Sequence, residues 1–318
     1  MVDADRLELR VVCGPTAAGK SDVAMWLAER AYGAIVSADS RQVYRGFDVG
    51  TAKPSPAERA RIPHEGIDVA EPTDRYSAAA WADAADAWIA GARGAARTPL
   101  VVGGTGLYLR ALVQGLFPEP PLDPTRRAAV GRLLDGYATN ELRRWVRVLD
   151  PARAGLGRTQ LLRAVEIALL AGERVSELHD RGSRPSRWRA HYLLVDPGPA
   201  LHSRIAARID HMLDNGWPEE VRRLMQTIPA DAPAWKSTGY DAVRRWVSGA
   251  STRDAARERA LVETRQYAKR QRTWFRHQLA GGLVTRIDPT ADDWRARAAE
   301  WLDGVGSVRG PAARRATA

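Results

Sequence analysis

Leu7-Glu8-Leu9-Arg10-Val11-Val12-Cys13 runs directly into Gly14-Pro15-Thr16-Ala17-Ala18-Gly19-Lys20-Ser21. The first seven residues read as a buried strand. The next eight fit G-x-x-x-x-G-K-[ST], and helical periodicity follows over 22–31, with Val23, Trp26 and Leu27 on one face. A glycine-rich loop between a strand and a helix is the context in which this pattern cradles phosphate. Gly14 and Gly19 let backbone N–H groups turn inward, and the helix N-terminus adds partial positive charge. Lys20 neutralises a diphosphate, and the Ser21 hydroxyl suits Mg²⁺. The eight residues Gly14, Pro15, Thr16, Ala17, Ala18, Gly19, Lys20 and Ser21 are therefore the expected diphosphate site, with Ser21 as metal ligand.

Outward from this loop, strands and helices alternate. Further strands are expected at 34–38, 99–102 and 191–195 and at Leu283–Ile287, and helices at 77–94 and 105–115. This order predicts an α/β fold with a doubly wound, mainly parallel sheet. Pro118, Pro120, Pro121 and Pro124 interrupt it, and three helical stretches follow at 124–137, 139–150 and 159–171. The predicted organisation is a discontinuous phosphate-loop core (1–122 and 184–303), an inserted helical domain (123–183) and a disordered tail (304–318). A long helix is expected over 252–279, with Trp274, Phe275 and Leu279 packed into the core.

The 318 residues include one cysteine, Cys13. An internal disulfide and a multi-cysteine zinc module are thereby excluded, which fits a reducing cytoplasm. No apolar run approaches the ~18 residues of a membrane span, and the first ten residues lack an apolar signal region, so no membrane partner is expected. The net charge is +10, spread unevenly. Residues 1–122 are net −2, 123–190 net +6 and 252–276 net +5. Two basic blocks outside the N-terminal third point to a polyanion contacted there.

The loop alone does not name a reaction. An NTPase wants a carboxylate closing a later strand for Mg²⁺. The strand at 99–102 instead ends in Gly103-Gly104-Thr105. Asp39 does follow the second strand, in Ser37-Ala38-Asp39-Ser40-Arg41-Gln42. Loops after strand C-termini line the ligand crevice of an open α/β sheet. Asp39, Ser40 and Thr105 are thus expected around whatever the phosphate loop holds. A small-molecule kinase and an RNA-binding nucleotide switch stay open at this point.

Four segments in order, Gly14 to Ser21, Ala38-Asp39-Ser40-Arg41-Gln42-Val43-Tyr44, Asp48-Val49-Gly50-Thr51-Ala52-Lys53-Pro54 and Val102-Gly103-Gly104-Thr105-Gly106-Leu107-Tyr108, resemble the signatures of bacterial tRNA dimethylallyltransferases. Arg163-Ala164-Val165-Glu166, Arg204-Ile205, Arg208, Gly239-Tyr240 and Thr264 to Gln271 extend the resemblance to about residue 280. The resemblance implies transfer of a dimethylallyl group from dimethylallyl diphosphate, with Mg²⁺, to N6 of adenosine 37 beside a tRNA anticodon. It makes Asp39 the general base and sets Thr105 beside the reacting centre. Of Arg204 and Arg208, one helical turn apart, Arg208 is the preferred diphosphate contact. tRNA contacts are implied at Asp39, Ser40, Arg41, Gln42, Thr105, Arg127, Thr159, Gln160, Leu161, Leu162 and Arg163.

Arg265 and Lys269 form a second expected tRNA surface, on a helix face continued by Arg272 and Arg276. His64 is expected as a hydrogen-bond partner in a loop, not a catalyst. Two departures stand out: Ser21 replaces a common threonine, and Gln160 a frequent arginine. The expected partner is the anticodon stem-loop, bound by a monomer. The related adenylate isopentenyltransferase activity, on free AMP-type acceptors, is the alternative.

Overall fold

The computed structural model describes residues 6–116, 120–182, 187–279 and 283–304. Pro118 and all but the first residue of the 304–318 tail lie outside the described residues. The chain divides into two compact units, Met1–Val113 with Arg187–Ala318, and Gln114–Ser186.

The larger unit contains β1 (Leu7–Cys13), α1 (Lys20–Arg30), β2 (Gly33–Ser37), α2 (Pro56–Arg61), β3 (His64–Glu65), α3 (Ala78–Gly94), β4 (Thr98–Gly103) and α4 (Gly106–Gln114). The smaller unit follows with α5 (Pro124–Asp135), α6 (Thr139–Leu149), α7 (Arg158–Ala171) and α8 (Val175–Asp180). The larger unit resumes with β5 (Trp188–Val195), α9 (Leu201–Asp214), α10 (Trp217–Met225), α11 (Tyr240–Val247), α12 (Arg253–Gln278), β6 (Leu283–Ile287) and α13 (Trp294–Gly304).

The six strands form one parallel sheet in the order β3-β2-β4-β1-β5-β6. Val11 pairs with Val101 on one side and Tyr192 on the other. Apolar runs explain this centre: Leu9, Val11, Val12, Leu100, Val101 and Leu193 are fully buried, as strands covered on both faces must be. α3 starts on Ser77, whose Oγ accepts from Ala80 N at 3.1 Å. Its Trp81 donates from Nε1 to Ser37 O (3.0 Å) and stacks on Tyr108 at 4.7 Å. All strands run the same way, so the turns after β1, β2, β4 and β5 emerge at one edge, where a doubly wound sheet opens its crevice.

The smaller unit has its own core, including Leu134, Leu142, Val146, Leu161, Val165 and Ile167. It begins at Gln114, not at 123 as read from the proline cluster, and Leu122 packs against this core. Its fourth helix, α8, is too short for a periodic signal. Buried Asp150 starts it, accepting from Ser176 N (3.0 Å) and Ser176 Oγ (2.6 Å).

Candidate active site

The loop after β1 takes the shape its sequence requires. Gly14 has φ 149°, and a Cβ there would sit 2.1 Å from Val195 O. Ala17 holds φ 61°, a left-handed conformation that costs a non-glycine residue roughly 1 kcal/mol or more. The turn delivers Lys20 to the start of α1 with its Nζ donating to Pro15 O at 2.7 Å. Two loop amides are engaged within the protein: Ala18 N donates to Pro15 O (3.3 Å) and Thr16 N to Gln271 Oε1 (2.8 Å).

A cleft of about 1470 Å³ opens beside the loop. Thr16, Lys20, Ser21, Asp39, Arg204 and Arg208 all line it. Burial pulls the Lys20 ammonium down to about 8; Asp39 opposes this and Arg208 reinforces it. Burial also lowers Arg208, again opposed by Asp39. Its guanidinium still remains charged at any ordinary pH. The structure thus brings Lys20 from α1, Arg208 from α9 and Asp39 from the turn after β2 to the same part of the cleft.

A second side of the site is built from the turns after β2 and β4. Asp39 Oδ1 accepts from Arg41 N at 2.8 Å, which fixes the carboxylate in a local turn. Thr105 Oγ1 accepts from Ser40 N at 3.0 Å, and Thr105 N donates to Ala38 O at 3.1 Å. The Tyr267 phenol, from α12, is hydrogen-bonded to the Thr105 side chain and pushed up to about 12 by burial. Ser40 and Thr105 are therefore bonded to each other, while the Asp39 carboxylate, next to Ser40 in sequence, is held by Arg41 N. Gln42 is spent internally: its Nε2 donates to Ala52 O (3.0 Å) and its Oε1 accepts from Ser37 Oγ (2.9 Å).

The two α9 arginines divide. Arg204 Nε donates to Ala17 O at 3.0 Å and props the phosphate loop, whereas Arg208 stands with Asp39 and Lys20. His64 Nδ1 is 2.7 Å from Ile62 O, a loop hydrogen bond that fixes the chain entering β3.

The remaining expected residues fall on helices. In the smaller unit, Arg127 Nε donates to Glu166 Oε1 at 2.7 Å, and Arg163 donates to Glu166 Oε2. One carboxylate so orients both guanidiniums. Thr159 is exposed at the start of α7, and Gln160 accepts from Gly157 N at 3.1 Å. Leu161 is fully buried, and Leu162, half-buried, packs against the same core.

On α12, Arg265 and Lys269 are exposed. Arg272 departs from the expected basic face: it is bound to both Asp196 oxygens and donates to Gly198 O. Phe275 and Leu279 are buried and Trp274 packs beside them, as expected.

Two buried polar residues escape a sequence reading. Glu220, 2% exposed, accepts from Asp48 N (2.8 Å), Val49 N (2.7 Å) and the Tyr240 hydroxyl (2.6 Å), and so holds one wall of the cleft. Gln271, on α12, joins the turns after β1 and β4.

The chain matches the family model described as IPP transferase over residues 42–278, and that described as isopentenyl transferase over 7–64. It is 42% identical over 286 residues to the tRNA dimethylallyltransferase of Halorhodospira halophila, covering 87% of this chain and 92% of the relative. The chain belongs to the tRNA dimethylallyltransferase family. The tRNA dimethylallyltransferase of Sorangium cellulosum is also 42% identical, over 85% of this chain and 88% of its own.

The solved tRNA isopentenylpyrophosphate transferase of Bacillus halodurans is 30% identical, with a TM-score of 0.67 over 94% of this chain and 95% of that one. A eukaryotic dimethylallyltransferase acting on tRNA shares the fold, with a TM-score of 0.76 over 96% of this chain and 82% of that one at 22% identity. As a tRNA dimethylallyltransferase the chain is a prenyltransferase. That accords with β4, which ends in Gly103 without the carboxylate an NTPase would place there.

Proposed function

We propose that the enzyme transfers a dimethylallyl group from dimethylallyl diphosphate to N6 of adenosine 37, next to the anticodon of tRNA. The observation that carries this reading is the charge arrangement of the cleft. Lys20 and Arg208 surround the place where a diphosphate must leave, and Asp39 stands with them where a proton must be taken. The bond between the allylic carbon and its oxygen breaks, and the electron pair departs with the diphosphate. Lys20, Arg208 and the amides opening α1 stabilise that developing charge. The N6 lone pair forms the new bond to carbon, and Asp39 accepts the N6 proton. Thr105, fixed by Ser40 and Tyr267, borders the reacting centre.

The donor set fits Mg²⁺. Ser21 offers one hydroxyl at the cleft, and among the described residues no group of three or more His, Cys, Asp or Glu side chains stands ready to hold a metal. Such an ion is typically held by one or two protein oxygens plus substrate phosphates and water. Ser21 would hold it, and when bound it adds positive charge at the leaving group.

The adenine must leave its stack to enter the cleft, and a single-stranded anticodon loop lowers that cost. In this reading Arg127 and Arg163, aimed by Glu166, take anticodon-stem phosphates. Arg265 and Lys269 on α12 form the second contact, and Ser40, Arg41 and Thr159 add polar ones. The reading is of a cytoplasmic monomer. Among the described residues no helix is long and apolar enough to cross a membrane.

Radiolabelled dimethylallyl diphosphate incubated with bulk tRNA, and separately with AMP, tests the proposal. Label is expected in tRNA, and in a dimethylallyl-adenosine after digestion. Label in AMP alone would make the enzyme an adenylate isopentenyltransferase. ATP turnover without prenyl transfer would make it a kinase or a nucleotide switch.

A further inference from the structure

The donor and acceptor ends of the cleft are carried by different turns. The diphosphate end lies on the turn after β1, and the Thr105 end on the turn after β4. The β1–β4 ladder registers these strands only as far as Cys13 opposite Gly103. One step further, the Gln271 side chain takes over. Its Oε1 accepts from Thr16 N at 2.8 Å, and its Nε2 donates to Gly104 O at 2.8 Å. The amide thus acts as an added rung, bridging the two turns as a backbone peptide bridges two strands.

The site is built for it. Gln271 is only 6% exposed, and a Cβ at Gly104 would lie 2.2 Å from its Nε2. One turn back on α12, Tyr267 bonds Thr105, the residue after Gly104. The same helix therefore sets both the turn that holds Thr105 and its distance from the phosphate loop.

We propose that Gln271 is a positioning residue for prenyl transfer. It fixes the separation between the allylic carbon, held through its diphosphate, and the nucleophile beside Asp39 and Thr105. This rests on the transfer reaction proposed above. A misplacement of about 1 Å in such an arrangement costs on the order of 10²-fold in rate.

Three proteins test it: wild type, Gln271→Met, which keeps the length but offers neither hydrogen bond, and Gln271→Glu. The glutamate still accepts from Thr16 N, and donates to Gly104 O only when protonated. Expected for Gln271→Met is a kcat lower by about 10²-fold. Its Kd for an unreactive thio-analogue of dimethylallyl diphosphate and its Kd for tRNA should each change less than about threefold, and the protein should stay folded at the assay temperature although the two lost hydrogen bonds lower its melting temperature by a few degrees. For Gln271→Glu, kcat should gain an acid-side dependence absent from wild type, rising as the carboxyl protonates.

A wild-type kcat in Gln271→Met overturns the proposal, as does a loss of analogue binding that matches the loss in kcat. Hydrogen exchange at the Thr16 amide is read on the same proteins. It should quicken at least tenfold in Gln271→Met and much less in Gln271→Glu; unchanged protection also overturns the proposal. If wild type transfers no dimethylallyl group, the reaction assignment fails while the exchange result still judges the rung.

Discussion

Raising the pH from 7 to 9 should remove most of the enzyme's use of dimethylallyl diphosphate, because it discharges Lys20. The ammonium sits near 8, pulled there by burial and by Arg208 against the support of Asp39. About nine-tenths of the free enzyme then carries the charge at pH 7 and about one-eleventh at pH 9, so kcat/KM for the donor should fall roughly tenfold. The diphosphate loses its last proton at about pH 6, so it is mostly ionised at pH 7 and adds only a small rise of its own there. Once bound, its charge favours the ammonium, so kcat should turn down at a higher pH than kcat/KM.

Unfolding does not mimic this loss. Lys20 falls from 10.5 in an unfolded chain to about 8 in the folded one, so between those values the unfolded chain binds the extra proton. Its contribution to stability therefore rises with pH across that window while activity declines. The assay is initial-rate transfer at saturating tRNA across pH 7 to 9.5, on wild type and Lys20→Arg, whose guanidinium stays charged. A wild-type kcat/KM that is level across the range refutes the assignment, and so does the same decline in Lys20→Arg.

Asp39→Ala should lower kcat by about 10²–10⁴-fold while tRNA binding stays within about tenfold, and normal turnover would remove Asp39 as the base. Glu220→Ala strips partners from the buried Tyr240 hydroxyl and the Asp48 and Val49 amides. Urea unfolding should show a loss of about 3 kcal/mol, and a change under about 1 kcal/mol would mean that water replaces the carboxylate. Charge reversal at Arg127 and Arg163 should raise the KM for tRNA and reduce its salt slope by about one per residue, without altering the donor Kd. Both arginines share Glu166, so Glu166→Gln should give an intermediate tRNA defect; if Glu166→Gln matches the double reversal, their effect is structural.

β1, β2, β4 and β5 were legible because each carries a short apolar run, β6 because apolar Leu283 and β-branched Val284 and Ile287 mark a short stretch, and the phosphate loop because it joins one of these strands to a helix. β3 was not: it is two residues long and pairs only Ile35 with His64 and Val36 with Glu65. α2 buries no residue, so no periodic stripe marks it. Asp39 and Thr105 could be placed because strand C-termini face one edge. Glu220 and Gln271 could not, since each is a polar residue in a helix that reads as surface. Their roles come from partners about 170 and 255 positions away. On α12, Arg265 and Lys269 are exposed, as a basic helix face requires. That face failed at Arg272, where Asp196 lies close enough to capture the guanidinium.

The strand order also governs how the chain meets the ribosome. β1 is the first strand made, yet it ends between β4 and β5. Once β4 has emerged, four strands can assemble with β1 at their rim, its outer backbone bonding groups unpaired and its side chains apolar apart from Glu8 and Arg10. β5 begins at Trp188, and the smaller unit must be translated first. At typical synthesis rates those roughly 85 residues take on the order of 4–17 s. During that interval an unpaired edge of seven residues, Leu7–Cys13, five of them apolar, is open to any other extended chain nearby. The interruption that carries the basic helices thus also sets the period when the nascent enzyme is most exposed to misassembly and most dependent on chaperones.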